Sequence, residues 1–272
     1  MICAVLGPSG TFSEEAAHNY WSRKIPLKVA NSIDELFEML EKKEISDLLI
    51  PLENSCAGTI ETSMINLARY DVSIKGEIYM PIRQHLMASK VYELNEIELL
   101  VSQLAVYAQC EEYIKRNLAG ARTEIALSTT KAVQIVGDES KKAAAIASME
   151  AAKLYDLHII DQDIHNQKNI TRFIHVSHSK AKLVAADKAS LIFSLPDYPG
   201  SLSGVLKIFA KYNINLTKII SSPDWQEAET YSFYVDIDIK GKINALNKLL
   251  KELQLKGVKT KYLGAYNTLV QS

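Results

Sequence analysis

The last third of the chain changes its hydrophobic period in an order that few folds satisfy. Apolar and polar residues alternate over 190–195, as in a half-buried strand. Leu202, Val205, Leu206 and Phe209 then fall on one helical face. Alternation returns over 214–219 and again over 231–239. A second helical stripe runs through Ile243, Leu246, Leu249, Leu250 and Leu253, and a last strand is predicted over 258–266. The order is β-α-β-β-α-β, the ferredoxin-like split unit.

The earlier part has a different rhythm. Residues 2–6 form a buried-strand pattern, followed by Gly7-Pro8-Ser9-Gly10. Thr11 and Glu14 stand at capping-box spacing, so a helix is predicted to start at Thr11. Ser32 and Glu35 repeat that spacing ahead of a stripe at Ile33, Leu36, Phe37 and Leu40, and 47–50 is another strand. Strand–helix–strand alternation predicts βαβ units and a parallel sheet. Residues 72–89 read as strand, 108–118, 130–136 and 149–154 as helix, and 159–160 and 170–176 as strand. Over 178–188 the chain turns rich in Ser, Ala and Lys with no period, which marks a domain boundary. All six arginines lie at or before Arg172.

Composition narrows the function. The 272 residues allow two domains at roughly 100–200 residues each. With 47% hydrophobic and 23% charged residues, the chain reads as globular rather than disordered. Basic residues number 31 and acidic ones 32, so bulk electrostatics do not draw it to nucleic acid. Cys3, Cys56 and Cys110 form no Cys-x-x-Cys pair, so neither a zinc site nor a disulfide framework is indicated, and free thiols suit a reducing cytoplasm. No apolar run reaches the length of a membrane span, and the short apolar start lacks the features of a signal peptide. The histidines show no metal spacing, and no metal or cofactor is expected.

Three stretches carry chemistry. Gly7 to Thr11 joins a strand to a helix start, where backbone amides hold an anion or simply form a capped turn. Pro51 to Thr59 follows a strand and carries Glu53, Asn54 and Ser55 where open α/β sheets bind ligands; the alternative is a solvated capping loop. Asn169 to Phe173 puts a hydroxyl and a guanidinium inside an apolar strand. Alternation places Thr171 and Phe173 on one face and Arg172 on the other. A buried Arg172 needs an anion, supplied by substrate or by a protein carboxylate. His85 reads as a hydrogen-bonded structural histidine.

Taken in order, these motifs resemble the prephenate dehydratase family. The resemblance rests on Gly-Pro-x-Gly-Thr-x-Ser at Gly7 to Ser13 and Pro-x-Glu-Asn-Ser-x-x-Gly at Pro51 to Gly58. It continues through Pro-Ile-x-x-His-Leu at Pro81 to Leu86, Ser128-Thr129, Ala144 to Ser148 and Asn169-x-Thr-Arg-Phe. The tail resembles the family's regulatory ACT domain. The resemblance implies an α/β catalytic unit over 1–180, built as two lobes like a periplasmic binding protein. Lobe one would take about 1–80 and 161–180, lobe two about 81–160, and the ACT domain 187–272. Prephenate would be the substrate, decarboxylated and dehydrated to phenylpyruvate in the cleft. Thr171, Glu53 and Asn54 would be catalytic; Ser55, Arg172, Phe173, Gly10, Thr11, Ser128 and Thr129 would bind substrate.

Gly200, Ser201 and Leu202 keep the family's effector-site helix start, for which phenylalanine is the implied ligand. The chain would be a cytoplasmic homodimer or homotetramer with no nucleic-acid or membrane partner. Two departures stand out. Ser102-Gln103-Leu104-Ala105 replaces the family's Ser-His-Pro-Gln, leaving Gln103 or Gln109 to substitute for its glutamine. Ile220 and Ser222 replace the Glu and Arg of its effector motif, so weakened phenylalanine inhibition is expected. Arogenate dehydratase and a non-catalytic amino-acid-sensing clamshell remain the alternatives.

Overall fold

The structure, a computed structural model, describes residues 2–138, 142–182, 184–223 and 230–269. It begins with β1 (Cys3–Leu6), α1 (Phe12–Trp21), β2 (Leu27–Ala30), α2 (Ile33–Glu41) and β3 (Asp47–Asn54). β1 lies between β2 and β3 and runs parallel to both, as the alternation predicts. α2 shows why its pattern was readable. Ser32 Oγ accepts from the Glu35 amide at 3.1 Å, and Glu35 Oε2 accepts from the Asn31 amide at 2.7 Å. Its stripe of Ile33, Leu36, Phe37 and Leu40 is buried on the sheet. β4 (Gly58–Thr59) folds back on β3, α3 (Glu61–Arg69) follows, and β5 (Ser73–Pro81) leads to the second lobe.

That lobe comprises β6 (His85–Ala88), β7 (Leu99–Ser102), α4 (Leu104–Gln109), α5 (Glu111–Asn117), β8 (Arg122–Ile125), α6 (Thr129–Asp138), β9 (Ala143–Ala147), α7 (Met149–Leu154) and β10 (His158–Asp161). β7 is parallel to β8 and β9, while β6 and β10 are antiparallel additions that carry the crossings between lobes. The predicted helix over 108–118 is broken at Cys110, which leaves helical geometry between α4 and α5. β9, with its run of alanines, is a fully buried strand. β11 (Ile170–Ser177) returns to lobe one and inserts between β3 and β5, antiparallel to both. The large sheet is therefore mixed, not wholly parallel.

The tail forms β12 (Lys188–Pro196), α8 (Ser201–Lys211), β13 (Asn215–Pro223), β14 (Thr230–Asp238), α9 (Ile243–Leu255) and β15 (Lys259–Tyr266), in sheet order β13-β14-β12-β15. One face of this sheet, with Leu191, Phe193, Val235 and Ile237, packs under α8 and α9. Each of these large side chains contributes about 1.5–3 kcal/mol on burial. The other face lies against lobe one, whose core it joins through Ile192, Tyr234, Leu263 and Tyr266. The approach is close at Gly264, where a Cβ would sit 2.6 Å from the Ile74 carbonyl oxygen. β16 (Thr268–Leu269) then leaves the tail's sheet and pairs beside β5 in lobe one.

Candidate active site

β1 and β3 end on the edge of the large sheet that faces the second lobe, and β11 begins there. Asn54, at the end of β3, sits opposite Thr171 of β11. Asn54 Oδ1 accepts from the Cys56 and Ala57 amides, both at 2.9 Å. Those two backbone donors fix which end of the side chain is oxygen. Asn54 Nδ2 therefore donates, to Thr171 Oγ1 at 2.8 Å and to Asn169 Oδ1 at 2.6 Å. With a lone pair of its oxygen engaged, Thr171 keeps its own proton, which no described residue accepts. Ser55 ties the same loop to β11: its amide donates to the Ile170 carbonyl at 2.9 Å, and its Oγ accepts from the Ile170 amide at 3.0 Å. Asn169 has no role in the sequence reading; its place two residues before Thr171, on the same face of an extended chain, is the signal for one.

The second lobe supplies the opposite wall. A cavity of about 200 Å³ is lined by Cys56 from the Asn54 loop, Ala108 and Gln109 from α4, and Asn166 and Gln167 from the returning crossing. Gln109 Oε1 accepts from Gln84 Nε2 at 3.2 Å, which leaves the Gln109 amide nitrogen as the donor end. Of the two glutamines offered as substitutes, Gln109 lines this cavity, while Gln103 stands exposed at the N-cap position of α4 without a side-chain capping bond. A larger depression of about 500 Å³ lies at the far end of β3, beside Ser46 and Ser177, away from these groups. His85 is buried, and its Nδ1 accepts from the Asp163 amide at 3.3 Å. Burial lowers its pKa and keeps it neutral, in keeping with a structural role.

The two lobes meet along the helix starts. Ser148 Oγ donates to the Gly10 carbonyl at 2.7 Å, and Thr130 Oγ1 to the Ser9 carbonyl at 3.3 Å. Arg23 grips Glu150 with two bonds, at 2.9 and 2.6 Å. Thr11 caps α1 by position, but its hydroxyl donates to the Leu6 carbonyl at 3.3 Å instead of accepting from the helix. The Gly10 amide, expected to be open to substrate, already donates to Glu14 Oε2 at 2.6 Å. Ser128 Oγ accepts from the Lys131 amide at 3.0 Å as the cap of α6, and Thr129 opens that helix.

The comparisons with known proteins agree on what this architecture is. The family model described as prephenate dehydratase matches residues 3–181, and that of the ACT domain matches 189–254. The prephenate dehydratase of Methanocaldococcus jannaschii is 34% identical over 268 residues, covering 95% of each chain. The chain belongs to the prephenate dehydratase family. The bifunctional chorismate mutase/prephenate dehydratase of Aquifex aeolicus is 33% identical, covering 97% of this chain and 72% of its own length. Among solved structures, the prephenate dehydratase of Staphylococcus aureus superposes with a TM-score of 0.85 at 28% identity, covering 98% of this chain and all of the other.

Three residues that the family resemblance assigns to substrate or chemistry stand elsewhere. Arg172 Nε donates to Glu77 Oε2 at 2.6 Å, Nη2 to the Tyr266 hydroxyl at 3.0 Å, and Nη1 to Asp236 of the ACT domain. The guanidinium is 2% exposed and turned away from the cleft, so the anion it needs is protein, not substrate. Glu53 pairs in register with Arg172, so its side chain shares that face, and its Oε2 lies 2.6 Å from Lys218 Nζ of β13. Phe173 is buried with Val5, Ala17, Leu49 and Ile78 beneath α1, as a core residue. Alternation assigned the faces correctly, and of the two anions it left open for Arg172 the protein carboxylates are the ones on its face.

The Arg172 network sets an acid limit. Burial alone would raise the Asp236 carboxyl, but Arg172 outweighs it, aided by the Ser190 and Tyr234 hydroxyls, and holds it below the usual carboxylate range. A carboxyl depressed by folding adds stability that is complete above its unfolded pKa and is lost as pH falls through the lower folded value. Urea unfolding should therefore show stability nearly level from pH 7 down to about pH 5 and falling below about pH 4. Stability that rises on acidification through that window would contradict the assignment.

In the ACT domain, Gly200 takes a left-handed φ of 92° at the start of α8, Ser201 is the first helical residue, and Leu202 packs against the domain's core. Ile220 and Ser222, standing in the family's charged positions, line a cavity of about 340 Å³ between the ACT sheet and α3, with Met64, Ile65 and Tyr234. Among the described residues no helix is long and apolar enough to cross a membrane.

Proposed function

We propose that the chain converts prephenate to phenylpyruvate, with Thr171 as the hydrogen-bond donor to the departing ring oxygen. Loss of the ring carboxylate as carbon dioxide pushes an electron pair into the ring and expels hydroxide, which takes up a proton to leave as water. Aromatisation supplies the driving force. The protein needs only to hold an anionic substrate and to stabilise the leaving oxygen. The observation that carries this reading is the Asn54–Thr171 hydrogen bond, which fills an acceptor site of the Thr171 oxygen and leaves its proton to be donated. A threonine hydroxyl is too weak an acid to act by acidity alone, so its effect is that of a preorganised donor. Gln109 adds an amide donor from the facing wall.

With Arg172 withdrawn, we assign the substrate carboxylates to the amides at the starts of α1 and α6, at Thr11 and Thr129, whose segments meet where Thr130 Oγ1 donates to the Ser9 carbonyl. Glu53 then acts from behind Asn54. Arogenate, which carries an amino group in place of the keto oxygen, is the second reading; an arogenate dehydratase of Petunia hybrida is 30% identical over 283 residues. Exposed Cys56 and the two buried free thiols suit a cytoplasmic enzyme. β13 lies at the edge of the ACT sheet and offers unpaired backbone groups for a homodimer or, doubled, a homotetramer. Phenylalanine is the effector we assign to the ACT domain, in line with the family structure from Arthrobacter aurescens solved with L-Phe.

The test is incubation with prephenate and, separately, arogenate, reading phenylpyruvate by its ultraviolet absorbance in alkali and phenylalanine by chromatography. Turnover of prephenate is expected, and turnover of arogenate alone would replace the first reading with the second. Added phenylalanine should inhibit weakly, because Ile220 and Ser222 offer no charge. Strong inhibition with stoichiometric binding would show that backbone contacts suffice.

A further inference from the structure

Behind the active site, two pairs of neighbouring strands face each other with crossed charges. Glu53 and Arg172 are direct cross-strand partners on β3 and β11. Lys218 and Asp236 are direct cross-strand partners on β13 and β14 of the ACT sheet. Glu53 pairs with Lys218 and Arg172 with Asp236, so the four close a square between the two sheets. One residue nearer the cleft on each of these strands, on the opposite face, stand Asn54 and Thr171. In a pleated strand the placement of one residue sets that of the next, because consecutive side chains share a peptide unit.

We propose that Lys218 is a positioning residue for the dehydratase reaction: by holding Glu53 it sets the end of β3, and through it the Asn54 amide that orients Thr171. The ACT domain thereby touches the chemistry without entering the cleft. A ligand or second copy that shifts β13 moves Lys218 and so changes the donor geometry at Thr171. The square also divides the labour. Arg172 and Asp236 are buried and hold the units together, whereas the Lys218–Glu53 side is partly covered, with Lys218 14% and Glu53 39% exposed. Water still reaches the Glu53 carboxylate, and Lys218→Met keeps the length of the covered stem, so the loss of this pair can be read in function without unfolding the chain.

The inference rests on the dehydratase reading above, and the experiment separates the two. Lys218→Met, Lys218→Arg, Glu53→Gln and the Lys218→Met/Glu53→Gln double variant are made in the full chain. For each, kcat and KM for prephenate, the melting temperature and the amide exchange of Cys56 and Ala57 are measured. Lys218→Met should lower kcat about five- to tenfold with KM within about twofold, since the effect is on orientation and not on substrate contact. Exchange at Cys56 and Ala57, whose amides donate to Asn54, should quicken about fivefold or more, while the melting temperature moves by no more than about 2 °C. Lys218→Arg should restore most of both, and the double variant should be no worse than the poorer single one. Unchanged kcat and exchange in Lys218→Met, or singles whose effects multiply, would overturn the proposal. A wild-type chain that releases no phenylpyruvate would defeat the dehydratase reading instead, and the exchange rates would still decide whether Lys218 orders the Asn54 loop.

Discussion

Thr171→Ala should lower kcat by at least about a hundredfold while KM changes far less. Removal of one preorganised donor to a developing oxyanion costs about 10²–10³ in rate, and this donor acts only as the carbon–oxygen bond breaks. The local structure supports a clean experiment. Asn54 keeps its bonds to the Cys56 and Ala57 amides and to Asn169 when the hydroxyl is gone, so the loop has no reason to collapse. Thr171→Ser retains the hydroxyl and should keep far more activity. Wild-type turnover in Thr171→Ala, measured from phenylpyruvate release, would remove Thr171 from the mechanism.

Arg172→Ala should be a stability defect before it is a binding defect. It strands Glu77 and Asp236, which are 0% and 1% exposed, with Lys188 left to compensate Glu77 alone. Breaking a buried ion pair from one side costs about 3–5 kcal/mol. At roughly 2–4 °C per kcal/mol for a chain of this size, the melting temperature should fall by about 6–20 °C. Well below that temperature, KM for prephenate should stay within about threefold, because the guanidinium faces the ACT domain and not the cleft. Had it held a substrate carboxylate, its removal would cost 2–5 kcal/mol of binding, roughly thirtyfold or more in KM. Arg172→Lys should destabilise less, since one ammonium cannot serve Glu77, Asp236 and Tyr266 with the fork of a guanidinium. A large KM increase with an unchanged melt would return Arg172 to the substrate.

How far the sequence reveals this molecule depends on the range of the interaction that decides each part. The ACT domain is legible because its periods of two and near four are local and well punctuated, even though β12 is buried on both faces. The βαβ opening is legible for the same reason, helped by the caps at Thr11 and Ser32. β9 is not, because a run of alanines buried on both faces carries no period. At the site, the Asn54 and Thr171 motifs are visible, and so is the alternation that separates Thr171 from Arg172. What faces Arg172 is decided by Asp236, 64 residues later and in another domain, and no strand pattern names a partner across space. Glu53 fails for the same reason, with Lys218 as the unseen partner. Phe173 shares the motif but serves the core, since a motif holds framework residues as well as reactive ones. Gln109 becomes distinguishable from Gln103 only once the turn at Cys110 sets α4 against the returning crossing.

The return of β16 to the first sheet changes what the regulatory unit can do mechanically. A domain appended by one linker can swing like a pennant. Here the chain enters the ACT sheet at Lys188, whose ammonium pairs with Glu77, and leaves it for a strand beside β5, where the Thr268 hydroxyl donates to that same Glu77. Both ends are stitched at one carboxylate. Wide rotation would tear one stitch or the other, so the movements left to the unit are small slides and tilts about a shared knot. Any message it sends to the cleft must pass through the seam between the sheets.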